Sequence, residues 1–272
     1  MTLLKLGSKG EEVKIVQKKL GLTVDGVFGP KTEAAVREFQ KKYGVYPDGM
    51  VGPKTWPLIQ ATSDNSPNTI NSKQVDPSVV YAPLKSCISK YANRQIKYIA
   101  IHYTAGASSA PGRAINMRYS WEKTRRASAD FGVDDRDMVQ FNPDPKNYYC
   151  WSVGDKKNPN GGGAQLYGKA TNRNTLSIEI CSNLKKGYSA SKVNHEGWFY
   201  TEAALNNAVK LVKILMKKFN IDIDHVVRHY DISGKICPGI KGWNNYTLYD
   251  INGNKIGKNN SSEWIKFKER LK

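Results

Sequence analysis

Polar and apolar positions in the first 60 residues recur with a helical period. Val13, Val16, Gln17 and Leu20 share one face of a helix expected over Gly10 to Leu20. A second helix is expected over Pro30 to Tyr43, burying Ala35, Val36 and Phe39, and a short third over Pro53 to Ile59. The run Asp25-Gly-Val-Phe-Gly-Pro-Lys-Thr32 recurs 23 residues later as Asp48-Gly-Met-Val-Gly-Pro-Lys-Thr55. In each copy Asp-Gly makes a turn, an apolar plug follows, and Gly-Pro opens a helix with Pro near its first position. Residues 61–77 are rich in Ser, Asn, Thr and Asp with two prolines, and read as a flexible linker. The pattern therefore predicts a small all-α three-helix domain over 1–60, a linker over 61–77 and a larger domain over 78–272.

In the larger part the pattern mixes strands and helices. Val79 to Tyr91 is expected along a sheet edge, and Lys97 to Thr104 is the first clear central strand. Gly112 to Lys123 reads as helical, Ala129 to Asn142 as a β-hairpin, and Tyr148 to Val153 as a further strand. Lys156 to Thr175, polar with Gly161-Gly-Gly163, reads as a mobile surface loop. Thr175 to Cys181 is a β-type run that contains Glu179. Thr201 to Phe219 is the strongest helix, N-capped by Thr201, with Leu205, Ala208, Val209, Val212, Leu215 and Phe219 as a core stripe. Asp224 to Arg228 reads as a short strand, Lys241 to Lys258 as turn and hairpin, and Ser262 to Leu271 as a terminal helix. The fold class expected is α/β, a mixed central sheet flanked by helices, beside the all-α N-terminal domain.

Candidate chemistry concentrates in Arg228 to Gly239, R-H-Y-D-I-S-G-K-I-C-P-G. His229 and Cys237 stand eight residues apart, with Lys235 two before the Cys. Imidazole and thiolate both bind Zn²⁺ well. Asp231, Ser233 and Gly234 between them are loop formers, so a strand would end in one ligand and a loop would return the second. A catalytic site needs a third ligand. Of the other histidines, His102 ends the strand that breaks at Ala105-Gly106, a rigid position at a sheet rim. His195 lies in a polar stretch and looks like surface loop. His225, four residues before His229, is too far along a strand to chelate the same ion. By spacing alone, ordinary structural roles for these His and Cys residues stay open. Glu179 likewise stands open between a solvent-facing strand residue and a used carboxylate.

Composition narrows the setting. The 272 residues carry 42 Lys and Arg against 24 Asp and Glu, a net charge of +18. Residues 1–60 hold 10 basic and 6 acidic residues, so both parts are basic. An anionic partner follows, either nucleic acid or a bacterial wall with its carboxylates and phosphates. No Lys/Arg-rich helix with base-reading side chains and no aromatic RNA-binding signature is present, which turns the reading away from nucleic acid. No apolar run approaches a membrane span. The N-terminus has no long apolar segment or small-residue cleavage site, so no signal peptide is expected. Four scattered cysteines, Cys87, Cys150, Cys181 and Cys237, make no disulfide framework.

H-x-D-x-x-x-K-x-C-P-G at 229–239, I-H-Y-T-A at 101–105 and L-S-I-E-I at 176–180 resemble, in order and spacing, the zinc-dependent N-acetylmuramoyl-L-alanine amidases. That family includes phage lysozyme-type amidases and the peptidoglycan recognition proteins. Leu6-Gly-Ser-Lys-Gly-Glu-Glu-Val13, V-x-x-x-Q-x-x-L and the D-G-x-x-G-P-x-T repeats resemble the peptidoglycan-binding domain found beside many wall hydrolases. The resemblance implies an amidase-like fold and one Zn²⁺ per chain held by His102, His229 and Cys237. It implies Glu179 as catalytic general base, Lys235 as the transition-state cation, and bacterial peptidoglycan as partner. A monomer is expected, made in the cytoplasm without a signal peptide and acting on the wall after release, in the manner of a phage or prophage endolysin.

Two departures from the family pattern stand out. Many members carry a tyrosine where Ser128-Ala-Asp-Phe131 has Ala129, and W-H-x-G where this chain has Trp151-Ser152-Val-Gly154. The alternatives are a non-catalytic wall-recognition protein and a basic nucleic-acid binder. Cys237 weighs against the first, because relatives that only bind wall often lack that ligand.

Overall fold

The computed structural model describes residues 3–43, 45–61, 73–106, 108–124, 126–154, 157–158, 163–192 and 194–272. The N-terminal part holds α1 (Glu11–Lys19), α2 (Pro30–Lys42) and α3 (Trp56–Ala61). Val13, Val16, Val36, Phe39 and Trp56 are buried as the helical period requires, whereas Ala35 is only half-buried. The 23-residue repeat becomes a repeated clamp. Gln17 Nε2 donates to Asp25 Oδ1 (2.7 Å), the Val27 carbonyl (2.9 Å) and Thr32 Oγ1 (3.2 Å), and its Oε1 accepts from Gly26 N (2.9 Å). Gln40 repeats this on Asp48 Oδ1 (2.7 Å), the Met50 carbonyl (2.8 Å), Thr55 Oγ1 (3.0 Å) and Gly49 N (2.8 Å). Each buried amide thus satisfies the Asp-Gly turn and the start of the next helix at once.

The linker read over 61–77 falls mainly on 62–72, outside the described residues. Its end is packed instead: Val75 is buried, and its N–H donates to Gln140 Oε1 at 2.8 Å.

The larger part is built on a six-stranded mixed sheet. Its strands are β1 (Val80–Tyr81), β3 (Tyr98–Tyr103), β4 (Phe131–Val133), β5 (Met138–Gln140), β7 (Thr175–Ile180) and β10 (Val226–Arg228), in the order β1-β5-β4-β7-β3-β10. Only β4 and β5 are antiparallel, as the hairpin reading expected. Short two-stranded pairs lie outside the sheet: β2 (Ile88–Lys90) with β6 (Tyr148–Cys150), β8 (Asn183–Leu184) with β9 (Trp198–Phe199), and β11 (Thr247–Tyr249) with β12 (Lys255–Lys258).

Strand alternation sorts the two faces. Ile99 and Ile101 on β3, Phe131 on β4 and Leu176 and Ile178 on β7 meet α5 (Glu202–Phe219) through Ala204, Ala208, Leu211, Val212 and Leu215. Thr201 caps α5, its hydroxyl accepting from Ala204 N at 3.1 Å. Leu205, Val209 and Phe219 of the expected stripe are partly buried, and Leu211, outside that stripe, lies at its centre. Trp264 and Phe267 of α7 (Ser262–Glu269) close the same core. The opposite face carries α4 (Arg113–Thr124), whose Ala114 and Ile115 meet Val139 and Phe141. The N-terminal helices reach α4 and the hairpin, where the Arg136 guanidinium lies 5.3 Å over the Tyr43 ring.

Candidate functional site

Register brings the candidate ligands together. Arg228 pairs with Ile101 across the parallel β10–β3 edge, so the next residues, His229 and His102, lie side by side at the same end of the sheet. His102 in turn pairs with Glu179 across β3–β7. Both stand on the face away from α5, because Ile101 and Ile178 before them point into that core.

After β10 the chain does not loop as the residue types suggested. His229–Ser233 forms a short helix, α6. Asp231 supplies the reason: its carboxylate accepts from Arg228 N at 2.8 Å and holds the Arg228 guanidinium at 2.6 Å. Gly234, in the left-handed region at φ 76°, ends the turn and returns its N–H to the Tyr230 carbonyl. Cys237 then comes back beneath His229, its carbonyl accepting from Tyr230 N at 2.9 Å.

His102 Nδ1, His229 Nδ1 and Cys237 Sγ converge. The two nitrogens are 3.1 Å apart, and the sulfur is 3.7 Å from His102 Nδ1. All three residues are buried, and their ligand atoms lie within 4.8 Å of one another. His229 Nε2 sits 3.0 Å from the Val153 carbonyl, which can only accept, so Nε2 carries the proton and Nδ1 presents a lone pair. A second imidazole nitrogen and a sulfur facing that lone pair fit a soft to borderline divalent cation. Without one, burial holds both imidazoles neutral: His229 falls to about 4, and His102 well below its ordinary value. Burial and the Glu179 charge push the Cys237 thiol up to about 12.

Glu179 stands beside this cluster, Oε1 3.9 Å from His102 Nδ1, with its side chain 19% exposed. Its Oε2 is buried without a hydrogen-bond partner. Burial raises its carboxyl to about 8, opposed only in part by Lys235. A carboxyl held this way can exchange a proton with a neighbour in the range around neutral pH. The solvent-facing reading of Glu179 is therefore replaced by a half-buried one. Lys235 is exposed and acts electrostatically on His102, His229, Glu179 and Cys237.

Other expectations shift. His195 is no surface residue; it is 2% exposed and stacks between Tyr188 and Trp198, away from the cluster. His225 pairs with Asp222 instead, at 2.7 Å. Of the loop read over Lys156–Thr175, residues 156 and 159–162 lie outside the described residues. The rest is tied to α6, with Asn158, Ala164 and Leu166 donating to the carbonyls of Ser233, Tyr230 and Asp231. Gly163 shows how close that contact is, since a Cβ there would lie 2.1 Å from the Tyr230 oxygen. The four cysteines are free and buried.

Both departures from the family pattern have local accounts. Ala129 is fully buried, and its neighbour Asp130 is taken up by Ser177, Asn142 and the buried Arg94, 3.6 Å away. Ser152 is spent on Asn172, with both N and Oγ directed at its Oδ1. Sequence reasoning missed Val153, whose carbonyl sets the His229 tautomer, and Tyr200, whose hydroxyl donates to the His102 carbonyl at 3.2 Å. Backbone acceptors leave no residue-type signal to find.

Known proteins resemble this chain in both of its parts. The family described as N-acetylmuramoyl-L-alanine amidase matches residues 92–240, and a putative peptidoglycan binding domain matches residues 9–59. N-acetylmuramoyl-L-alanine amidase CwlA of Bacillus subtilis (strain 168) is 34% identical over 142 residues, covering 52% of this chain and 43% of the relative. XlyB of the same organism is 35% identical over 142 residues, covering 52% of this chain and 37% of the relative. The matched stretch thus spans less than half the length of either relative. The solved catalytic domain of XlyA is 25% identical, covering 71% of this chain and 96% of that one at a TM-score of 0.45. Among the described residues, no helix is long and apolar enough to cross a membrane. With its match running from the strand that carries His102 through the motif that carries Cys237, this chain belongs to the N-acetylmuramoyl-L-alanine amidase family.

Proposed function

We propose that this chain hydrolyses the amide joining the lactyl group of N-acetylmuramic acid to L-alanine of the peptidoglycan stem peptide. The observation that carries the reading is the convergence of His102, His229 and Cys237, with Glu179 3.9 Å from His102. The donor set suits Zn²⁺, which when bound supplies Lewis acidity and brings a water's pKa near neutrality. His102, His229 and Cys237 are the residues that would hold it.

Glu179 takes the proton of the attacking water and returns it to the departing alanine amine. The raised affinity of its carboxyl for a proton suits both transfers. The Lys235 ammonium stands by the oxygen that becomes negative as the carbonyl is attacked, a role felt mainly in the transition state. The N-terminal repeat region holds the chain to the wall polymer.

Digestion of purified peptidoglycan tests this, scoring new alanine N-termini against new reducing sugar ends with and without a zinc chelator. New alanine amines that vanish on chelation are expected. New reducing ends would mean a glycosidase and overturn the reading, and wall binding with neither product would make the protein a recognition module.

A further inference from the structure

The cluster is flanked by two grooves of opposite character. One, about 400 Å³, holds Glu179, Arg113, Asn116, Ser120 and Trp121, a polar lining with one charge of each sign. The other, about 410 Å³, lies against His229 and is lined by Arg126, Trp151, Lys157 and Lys235. No carboxylate lines it, and none of its three cations pairs with a described carboxylate. A third groove shows the contrast: there Lys185 and Lys241 are accompanied by Glu196 and Glu263. A net charge of +18 puts cations over much of the surface. Three exposed cations around one concavity, with only the Glu179 carboxyl acting on one of them, leave a positive potential that favours an entering anion.

The substrate proposed above is polarised in the same way. On one side of the scissile amide are N-acetyl sugars, which carry no charge. On the other is a peptide that bears carboxylates. We propose that the Lys235 groove receives the peptide limb, with Arg126 and Lys157 favouring free over amidated carboxylates, while the glycan limb lies along the Glu179 groove. Asn116 supports the second half. It also lines a groove of about 790 Å³ between α4 and the second repeat, where Tyr46 and Tyr119 offer aromatic surface of the kind sugars stack on. A glycan leaving the site on that side runs toward the binding repeat, and the peptide points away from it.

This assignment rests on the amidase reading, and the experiment separates the two. The zinc-loaded full chain is given a disaccharide peptide with free carboxylates and the same compound with them amidated. Amidation is expected to raise KM about tenfold with kcat little changed, the scale of two partly exposed charge contacts. The Arg126→Ala/Lys157→Ala variant is expected to lose that preference, its KM for the free-carboxylate compound rising to that for the amidated one. Arg126→Glu/Lys157→Glu is expected to reverse it. Equal KM for both compounds, or a preference that survives the substitutions, overturns the assignment. If neither compound is cleaved, the amidase reading fails, and calorimetry with the free stem peptide reads the groove directly. Salt-sensitive binding lost in the double variant then sustains the assignment, and no binding overturns it.

Discussion

The carboxylate of Glu179 lies 3.9 Å from Nδ1 of His102, its register partner on the adjoining parallel strand. A rigid sheet, not a loop, therefore sets the distance between the proposed proton acceptor and the proposed metal ligand. Replacing Glu179 with Gln keeps the shape and removes the base. The amide-cleaving rate is expected to fall on the order of 10²- to 10⁴-fold, with bound zinc unchanged by elemental analysis. A rate within about twofold of wild type would remove Glu179 from the mechanism.

The same carboxyl predicts a trade of stability against function. Its folded pKa of about 8 lies above the ordinary 4.5, so the fold prefers the protonated form. That stability is fully present below the ordinary value and is lost as pH rises through about 8. In metal-free protein, Glu179→Gln is expected to melt level with wild type at about pH 4 and several degrees above it at about pH 9. A gap independent of pH would contradict the burial of this group.

Metal binding is checked first by spectroscopy and then by activity. Cobalt-loaded protein is expected to show a sulfur-to-metal charge-transfer band, absent in Cys237→Ser, because the thiolate is one of three converging donors. Chelation is expected to abolish amide cleavage, and zinc to restore it. A cobalt spectrum that Cys237→Ser leaves untouched would place the metal elsewhere.

Much of this site was legible in the sequence, and the reasons are physical. Apolar alternation around Ile99, Ile101, Leu176 and Ile178 marks strands, and a His or Glu breaking such a run stands out as an unusual cost. What escaped was whatever depended on a partner distant in sequence. His195 reads as surface by its neighbours, yet Tyr188 and Trp198 enclose it. Asp231 reads as a turn residue, yet it caps α6 and clamps Arg228. Arg94 looks unremarkable, yet its buried guanidinium donates to the carbonyls of Pro145, Asn172, Arg173 and Thr175 and faces Asp130.

Lys235 separates binding from chemistry. It is exposed, so Lys235→Met is expected to fold normally. A cation that acts on developing charge should lower kcat by about 10²- to 10³-fold while KM moves little. A large rise in KM with kcat intact would instead make Lys235 a ground-state contact of the basic groove.

The repeat offers a test confined to the N-terminal helices. Gln17 and Gln40 are 1% and 0% exposed and make matching sets of four hydrogen bonds, 23 residues apart. Gln40→Ala strands the Gly49 amide and the Thr55 hydroxyl and leaves a cavity, at a cost of about 2–4 kcal/mol. For a unit near 60 residues that is a large share of the total stability. Gln17→Ala should cost a similar amount through Gly26 and Thr32. Either variant is expected to lower an early calorimetric transition and weaken co-sedimentation with peptidoglycan. Cleavage of a small soluble muropeptide should be unchanged, because neither residue approaches His102. Variants that melt and sediment like wild type would show that the two amides do not hold the repeat. Loss of soluble-substrate cleavage in parallel would show instead that the helices and the sheet stand or fall together.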